Sequence, residues 1–304
     1  MSDEAAARPL WRDYLELTKP TVVALMIITS MVGMFLAVPE MVRWDLFILG
    51  NIGIAFCAGS AAAVNHLVDQ RIDTQMKRTQ NRPVAQGRIN TLHASIFAAT
   101  LGLVGMAILL IWVNALTAWL TMFSLLGYAM LYTLYLKRAT PQNIVIGGLP
   151  GALPPLLGWV AITGDVHPYS LLLALIIFVW TPPHFWALAI HRRDDYAKAG
   201  LPMLPVTHGI EYTKKQIVLY TVLLIAISLL PFVTGMLGWL YLVGALILGF
   251  GFLYYSILLL RGDDKIAAMQ TFKYSSVYLL TLFVVMLLDH YLVAKPVIGV
   301  MYEL

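Results

Sequence analysis

Three oxygen-bearing side chains, Asn65, Asp69 and Asp73, recur every four residues in the run Asn65-His66-Leu67-Val68-Asp69-Gln70-Arg71-Ile72-Asp73. On a helix that spacing puts all three on one face, a turn apart. Like charges so placed repel, and acids beside apolar surroundings are costly, so a cation must offset them. Mg2+ suits the donors: it is a hard cation that takes one or two carboxylates together with phosphate oxygens and keeps several waters. The competing reading is a solvated helix end in which Arg71 pairs with the acids. A second set occupies His191-Arg192-Arg193-Asp194-Asp195, where His191 and Asp195 are again four apart. Either Asp194 or Asp195 can complete a further cation site there, although such a run taken alone is equally an interfacial charge cluster.

Between Asp73 and the next apolar stretch runs Met76-Lys77-Arg78-Thr79-Gln80-Asn81-Arg82-Pro83, which sets Arg78 and Arg82 one turn apart if it is helical. Guanidinium forks match phosphate geometry, and Lys77 and Lys198 are point charges of the same sign. Each cation taken singly is explained by topology. Taken with a carboxylate row and Mg2+, they are the equipment for binding and ionising a diphosphate leaving group. A third feature, Trp180-Thr181-Pro182-Pro183-His184-Phe185-Trp186, holds two prolines that must disturb a helix and free carbonyls tolerable only where buried or water-lined. His184 then either caps those carbonyls or touches a substrate. Trp180, Phe185 and Trp186 either stabilise a cationic intermediate through their π faces or line an apolar channel, and the sequence leaves both roles open.

These residues are carried by a chain of 304 residues that is 60% apolar and 12% charged, about half the roughly 25% charged share of a soluble domain. A water-soluble globule is excluded. No low-complexity or polar linker divides the sequence, which predicts a single intramembrane domain over residues 1–304. The net charge of +4 does not point to nucleic acid, because the cations lie in short runs between apolar segments. The one cysteine, Cys57, excludes disulfides and thiolate metal clusters.

Apolar stretches long enough to cross roughly 30 Å of hydrocarbon fall at about 21–38, 45–68, 92–113, 115–136, 143–163, 169–190, 216–236, 238–260 and 274–293. They predict an all-α polytopic protein with nine transmembrane helices, since strands would leave unpaired backbone in lipid. With the N-terminus in the cytoplasm, 18 of the 20 cations fall on the inner side, and only Arg43 and Lys295 lie outside, which puts the C-terminus in the periplasm. The inner loops near 69–91 and 191–215 hold ten of the cations and both acidic sets. They share a weak correspondence, with Asp69, Asp73 and Pro83-Val84 spaced like His191, Asp195 and Pro205-Val206, which hints at a repeat of helix pairs. Ala58-Gly59-Ser60-Ala61-Ala62-Ala63 predicts a close helix contact. Prolines and glycines at 147–155 predict a distorted fifth helix. Trp11 and Tyr14 before Lys19-Pro20 read as an interfacial anchor, and Tyr128, Tyr132 and Tyr135 as an aromatic belt, while Asp289-His290 is explained by an interfacial position.

Nine helices with two inner acidic sites resemble the UbiA superfamily of intramembrane prenyltransferases over essentially the whole chain. Asn65 to Asp73, the run Met76 to Pro83, Trp180 to Ile190, and Asp194-Asp195-Tyr196 with Gly200-Leu201-Pro202-Met203-Leu204-Pro205 resemble its haem-farnesylating branch. The chain departs from the wider superfamily pattern at His66 and His191, where aromatic-acid prenyltransferases more often carry Asp. His191 therefore stands either in a weaker second Mg2+ site or against the porphyrin. The resemblance implies that farnesyl diphosphate and haem B react to give haem O, haem being a substrate and Mg2+ the cofactor. It implies a UbiA-like helical bundle, a bacterial inner membrane location with the active site facing the cytoplasm, and haem A synthase or terminal oxidase assembly as partners. On the residues alone the site is Asn65, Asp69, Asp73 and Asp195 for the metal, His184 for catalysis, and Lys77, Arg78, Arg82, His191, Asp194, Lys198, Trp180 and Trp186 for substrate. The alternatives are a quinone-precursor acceptor or, from another class, a membrane transporter.

Overall fold

A computed structural model describes residues 10–76, 79–136, 139–262 and 264–293. Lys77, Arg78, Lys137, Arg138, Arg8 and Lys295 lie outside the described residues. Every regular element among the described residues is helical. We number them α1 (Leu10–Leu17), α2 (Pro20–Leu36), α3 (Trp44–Asp73), α4 (Thr91–Ile108), α5 (Ala115–Leu126), α6 (Asn143–Ala152), α7 (Pro154–Thr163), α8 (Pro168–His191), α9 (Arg193–Lys198), α10 (Leu204–Thr207), α11 (Ile210–Ser228), α12 (Leu230–Val233), α13 (Trp239–Arg261) and α14 (Asp264–Leu292).

Seven helices or joined pairs are long and apolar enough to span, and α1 with α2, bent by 50°, makes an eighth broken span. The stretch expected to span at 115–136 is instead a shorter apolar helix, Ala115–Ala129, that winds on through wide π-type turns over Gly127–Leu136. The break between α1 and α2 falls at Lys19, immediately before Pro20, whose ring disfavours helical backbone in the residue preceding it. α6 and α7 meet at Leu153, whose backbone stays helical (φ −74°, ψ −23°), while Pro154 and Pro155 lack the N–H groups to continue the ladder, the expected distortion of the fifth segment.

Two expectations about helix ends change. Lys214, expected in a cytoplasmic loop, sits within α11, which begins at Ile210; it is buried and pairs with Glu211 at 3.0 Å. α8 runs unbroken through Pro182 and Pro183 to His191, so the prolines do not interrupt it. The Thr181 hydroxyl donates to the Ile177 carbonyl at 2.8 Å within the same turn, and buried neighbours enclose the proline turn.

Small residues set the spacing between helices. The Ser60 hydroxyl of α3 donates to the Ala98 carbonyl of α4 at 2.7 Å, and a Cβ at Gly105 would lie 2.8 Å from Cys57 Sγ, so α3 and α4 run in close contact along the expected Ala-Gly-Ser stretch. α2 meets α7 as closely, since a Cβ at Gly33 would overlap the Pro155 carbonyl and one at Gly158 the Ser30 carbonyl. Helix α8 lies at the centre, 67% of its apolar window buried against 22% for Thr91–Val113. Leu173, Ile176, Ile177 and Trp180 of α8 pack with Tyr241, Phe252, Tyr278 and Phe283 of α13 and α14. The outward faces show Leu103, Ile111, Trp119 and Phe123 exposed, as lipid-facing surface requires.

At the end of the bundle opposite the acids, Asp289 accepts from the backbone N–H of Gly238 at 2.5 Å and of Tyr241 at 2.9 Å, capping α13 from α14. His290 bonds the Val38 carbonyl at 3.1 Å and the Tyr291 hydroxyl donates to the Phe35 carbonyl at 3.1 Å. These three residues tie the far ends of α2, α13 and α14 together.

Candidate active site

The last two turns of α3 carry Asn65, Asp69 and Asp73, exposed by only 4%, 1% and 2%. Asn65 Nδ2 donates to Asp69 Oδ2 at 2.8 Å and reaches Thr133 Oγ1 at 3.5 Å. Arg82 Nη1 donates to Asp73 Oδ2 at 2.6 Å, and the Lys19 ammonium donates to Asn65 Oδ1. The face read from the spacing is thus real, and two basic side chains from other parts of the chain already lie along it.

The described residues of the loop after α3, from Thr79 onward, are tied back to the helix. Thr79 Oγ1 donates to the Asp73 carbonyl at 3.2 Å, Gln70 Nε2 donates to the Val84 carbonyl at 3.1 Å, and Val84 is fully buried. Arg88 spans from this loop to the buried Asp13 of α1 at 3.2 Å and to the Asn81 carbonyl at 3.0 Å. Together these contacts hold Arg82 over Asp73. A cavity of about 550 Å³ opens beside the row, walled by Arg12, Glu16, Lys19, His66, Thr79 and Arg82.

The donors on α3 are two carboxylates and one carboxamide, hard oxygens suited to Mg2+ and short of its octahedral set, which leaves room for phosphate oxygens and water. Asp195 does not join them on a common helix. α8 ends at His191, Arg192 turns the chain, and Asp195 lies in the separate short helix α9, so the four-residue spacing of His191 and Asp195 does not place them on one continuous face. His191 Nδ1 lies 3.0 Å from the Lys265 carbonyl, and Asp194 is exposed, 3.9 Å from the Lys265 ammonium. Lys198 is exposed at the end of α9. Among the described residues no group of three or more His, Cys, Asp and Glu side chains is gathered as a metal cluster.

Trp180 and His184, one turn apart on α8, form a second centre. The His184 ring stacks between Trp180, centroids 4.2 Å apart, and Phe272, 4.4 Å. Its Nδ1 lies 2.6 Å from Ser275 Oγ, which itself donates to the Phe272 carbonyl at 2.7 Å. That hydrogen bond and the two ring stacks fix where the imidazole sits. His184 therefore does not cap the carbonyls freed by the prolines. The Trp180 indole N–H donates to the Ser275 carbonyl at 2.7 Å, locking the pair. Trp186 belongs elsewhere: it is buried in a cluster with Ile190, Leu204 and Ile217 and meets Tyr220 edge-on at 5.2 Å.

Sequence reasoning missed Lys19, Thr79, Thr133, Phe272 and Ser275. Lys19 read as a topological charge beside an interfacial anchor, Thr79 is an unremarkable loop hydroxyl, and Thr133 turns inward only because the chain winds through π-type turns there. Phe272 and Ser275 lie in the mixed run Gln270-Thr271-Phe272-Lys273-Tyr274-Ser275-Ser276, which carries no spacing that ties it to His184.

The UbiA prenyltransferase family matches residues 26–284 of the chain. The protoheme IX farnesyltransferase of Saccharophagus degradans is 67% identical over 289 residues, 95% of both chains. That of Marinobacter nauticus is 66% identical over 281 residues, 92% of this chain and 93% of its own. Two solved structures are similar in fold: one described for digeranylgeranylglyceryl phosphate synthase in membranes, with TM-score 0.78 at 21% identity over 92% of this chain and 98% of that one, and a UbiA homologue from Archaeoglobus fulgidus bound to GPP and Mg2+, with TM-score 0.60 at 16% identity over 90% and 99%.

Proposed function

The chain belongs to the UbiA prenyltransferase family, and from that premise we propose that it transfers the farnesyl group of farnesyl diphosphate to a vinyl group of haem B, with addition of water, to give haem O. The observation that carries the reading is the buried Asn65–Asp69–Asp73 row with Arg82 bonded to it. Near full-length relatives named protoheme IX farnesyltransferase support haem as the acceptor over a quinone precursor.

Asn65, Asp69 and Asp73 would hold Mg2+, a choice supported by their oxygen donors and by the Mg2+ described for the Archaeoglobus homologue. When bound, the ion supplies charge neutralisation to the diphosphate leaving group. Arg82 turns its guanidinium from Asp73 to the diphosphate oxygens, with Arg78 and Lys77 beside it in sequence, so that the C–O bond breaks and an allylic cation forms. The enclosing helices exclude bulk water while the haem vinyl attacks that cation. Water then adds to the porphyrin-side cation, and His184, held by Ser275 and stacked on Trp180, either orients the haem or takes part in that last proton transfer. Trp180 presents an aromatic face to the acceptor side. Asp194, Asp195, His191 and Lys198 form a second polar set at the same end, available to a second cation or to the porphyrin carboxylates.

We place the whole chain, residues 1–304, in one domain of nine spans, counting α1 with α2 and the stretch 115–136 among them, with the N-terminus cytoplasmic and the C-terminus periplasmic. The cation distribution supports this orientation, a bacterial inner membrane and a site facing the cytoplasm. Terminal oxidase assembly and haem A synthase are the partners that such a product would serve.

Asp69→Asn is expected to abolish transfer while the protein still inserts and folds. Near-normal turnover in membranes would remove the metal assignment. Removing the charge of Arg82 is expected to raise the farnesyl diphosphate requirement more than the haem requirement; the reverse pattern would move Arg82 to the porphyrin.

A further inference from the structure

Lys19 is the only non-glycine residue among those described with a positive φ, at 51° with ψ 62°. A side chain with a Cβ is strained in that left-handed region, and such strain persists only where the surroundings impose it. Nothing about a lysine favours the position, and a glycine would occupy it freely. The surroundings are specific: Lys19 joins α1 to α2 at the 50° break, α1 is tied down by the Asp13–Arg88 pair, and the ammonium lands on the carboxamide oxygen of Asn65. Lys19 also walls the same cavity as Arg12, Thr79 and Arg82.

The contact has a chemical consequence. Asn65 gives its N–H to Asp69 and its oxygen to Lys19. The oxygen is the only donor that a carboxamide offers to a hard cation, so Lys19 and a metal ion compete for it. Their charges also repel at that range. An ammonium driven off Asn65 has the adjoining cavity to enter, where a diphosphate beside Arg82 would receive it.

We propose that Lys19 is a diphosphate-binding residue held on Asn65 before substrate binds: as a prenyl diphosphate and its cation enter, the ammonium leaves the Asn65 oxygen, exposing it to the cation, and forms an ion pair with the diphosphate. Lys19's role presupposes the prenyl diphosphate substrate proposed above. It makes two effects of opposite sign, which a lysine serving only the fold would not.

The test uses full-length protein in detergent and three variants, Lys19→Gly, Lys19→Gln and Lys19→Arg. Glycine keeps the left-handed backbone without its strain and removes the charge, while arginine keeps the charge. Two probes are titrated directly: Mn2+ alone as a spectroscopic substitute for Mg2+, and inorganic pyrophosphate in saturating Mg2+. Lys19→Gly and Lys19→Gln are expected to bind Mn2+ severalfold more tightly than the unaltered protein, because the competitor is gone. The same variants are expected to bind pyrophosphate about tenfold to a hundredfold more weakly, the usual worth of a charge-assisted hydrogen bond, and Lys19→Arg to restore it. If Lys19→Gly folds poorly, Lys19→Gln carries the same comparison. Mn2+ affinity unchanged or weakened, or pyrophosphate affinity unchanged, overturns the assignment. An unaltered protein that binds no pyrophosphate overturns the proposed function along with it, whereas normal binding with indifferent variants overturns only the role of Lys19.

Discussion

Replacing Arg82 by methionine removes the guanidinium from Asp73 while keeping the length and much of the volume of the side chain. The pair is 2.6 Å apart, with the Asp73 side chain 3% exposed and that of Arg82 13%. Breaking a buried pair from one side costs about 3–5 kcal/mol because the remaining charge is stranded, and the partial exposure of Arg82 puts this case near the low end, at about 3 kcal/mol. In chelator, Arg82→Met is therefore expected to melt several degrees below the unaltered protein. With Mg2+ alone, and no diphosphate for Arg82 to bind, the order of response reverses. The variant is expected to gain more thermal stability than the unaltered protein, since the cation now neutralises a carboxylate that nothing else does, whereas in the unaltered protein it displaces an existing partner. Melting curves of detergent-purified protein in chelator and in Mg2+ measure both shifts. Equal melting temperatures in chelator, or a smaller Mg2+-dependent gain in the variant, would refute the view that Arg82 balances the charge of the carboxylate row.

Ser275→Ala removes the hydrogen bond that holds the His184 ring and is expected to slow the haem-dependent step by roughly tenfold, equivalent to about 1.4 kcal/mol, with farnesyl diphosphate binding intact; Ser275→Thr keeps the hydroxyl and most of the rate, and an unchanged rate in Ser275→Ala would detach His184 from the acceptor. Asp289→Ala uncaps α13 and is expected to cost about 1–2 kcal/mol of stability with the transfer rate retained at low temperature, read by thermal melting beside product formation; lost activity in folded protein would give Asp289 a role beyond the cap. Gly158→Ala pushes a methyl into the Ser30 carbonyl across the α2–α7 contact, and a loss of about 3 kcal/mol with sharply reduced yield of folded protein is expected; full yield would show that the two helices slide apart easily.

Much of this was legible in the sequence for a local reason. The α3 row repeats every four residues, so helix geometry alone puts Asn65, Asp69 and Asp73 on one face. The Trp180–His184 stack is legible in the same way. Apolar length identified the spans, but not their ends, because α11 carries Lys214 inside once Glu211 neutralises it, and α3 carries its acids to the last turn. The second acidic set misled for the converse reason: the spacing of His191 and Asp195 looks helical, yet the chain turns at Arg192 between them. What stayed hidden depends on distant partners. Lys19 and Thr133 reach Asn65 across 46 and 68 residues, and Ser275 reaches His184 across 91, so no short window of sequence contains any of the three pairs. Asp289, expected at the interface, is instead a buried cap whose partners are backbone N–H groups, which every residue but proline has.

The central claim is tested most directly by incubating the purified protein with haem B and farnesyl diphosphate, in Mg2+ and in chelator, and weighing the extracted haem. The expected result is a Mg2+-dependent product heavier by one farnesyl group and one water. Haem recovered unmodified while farnesyl diphosphate is consumed on a quinone precursor would contradict the acceptor and leave only the diphosphate site standing.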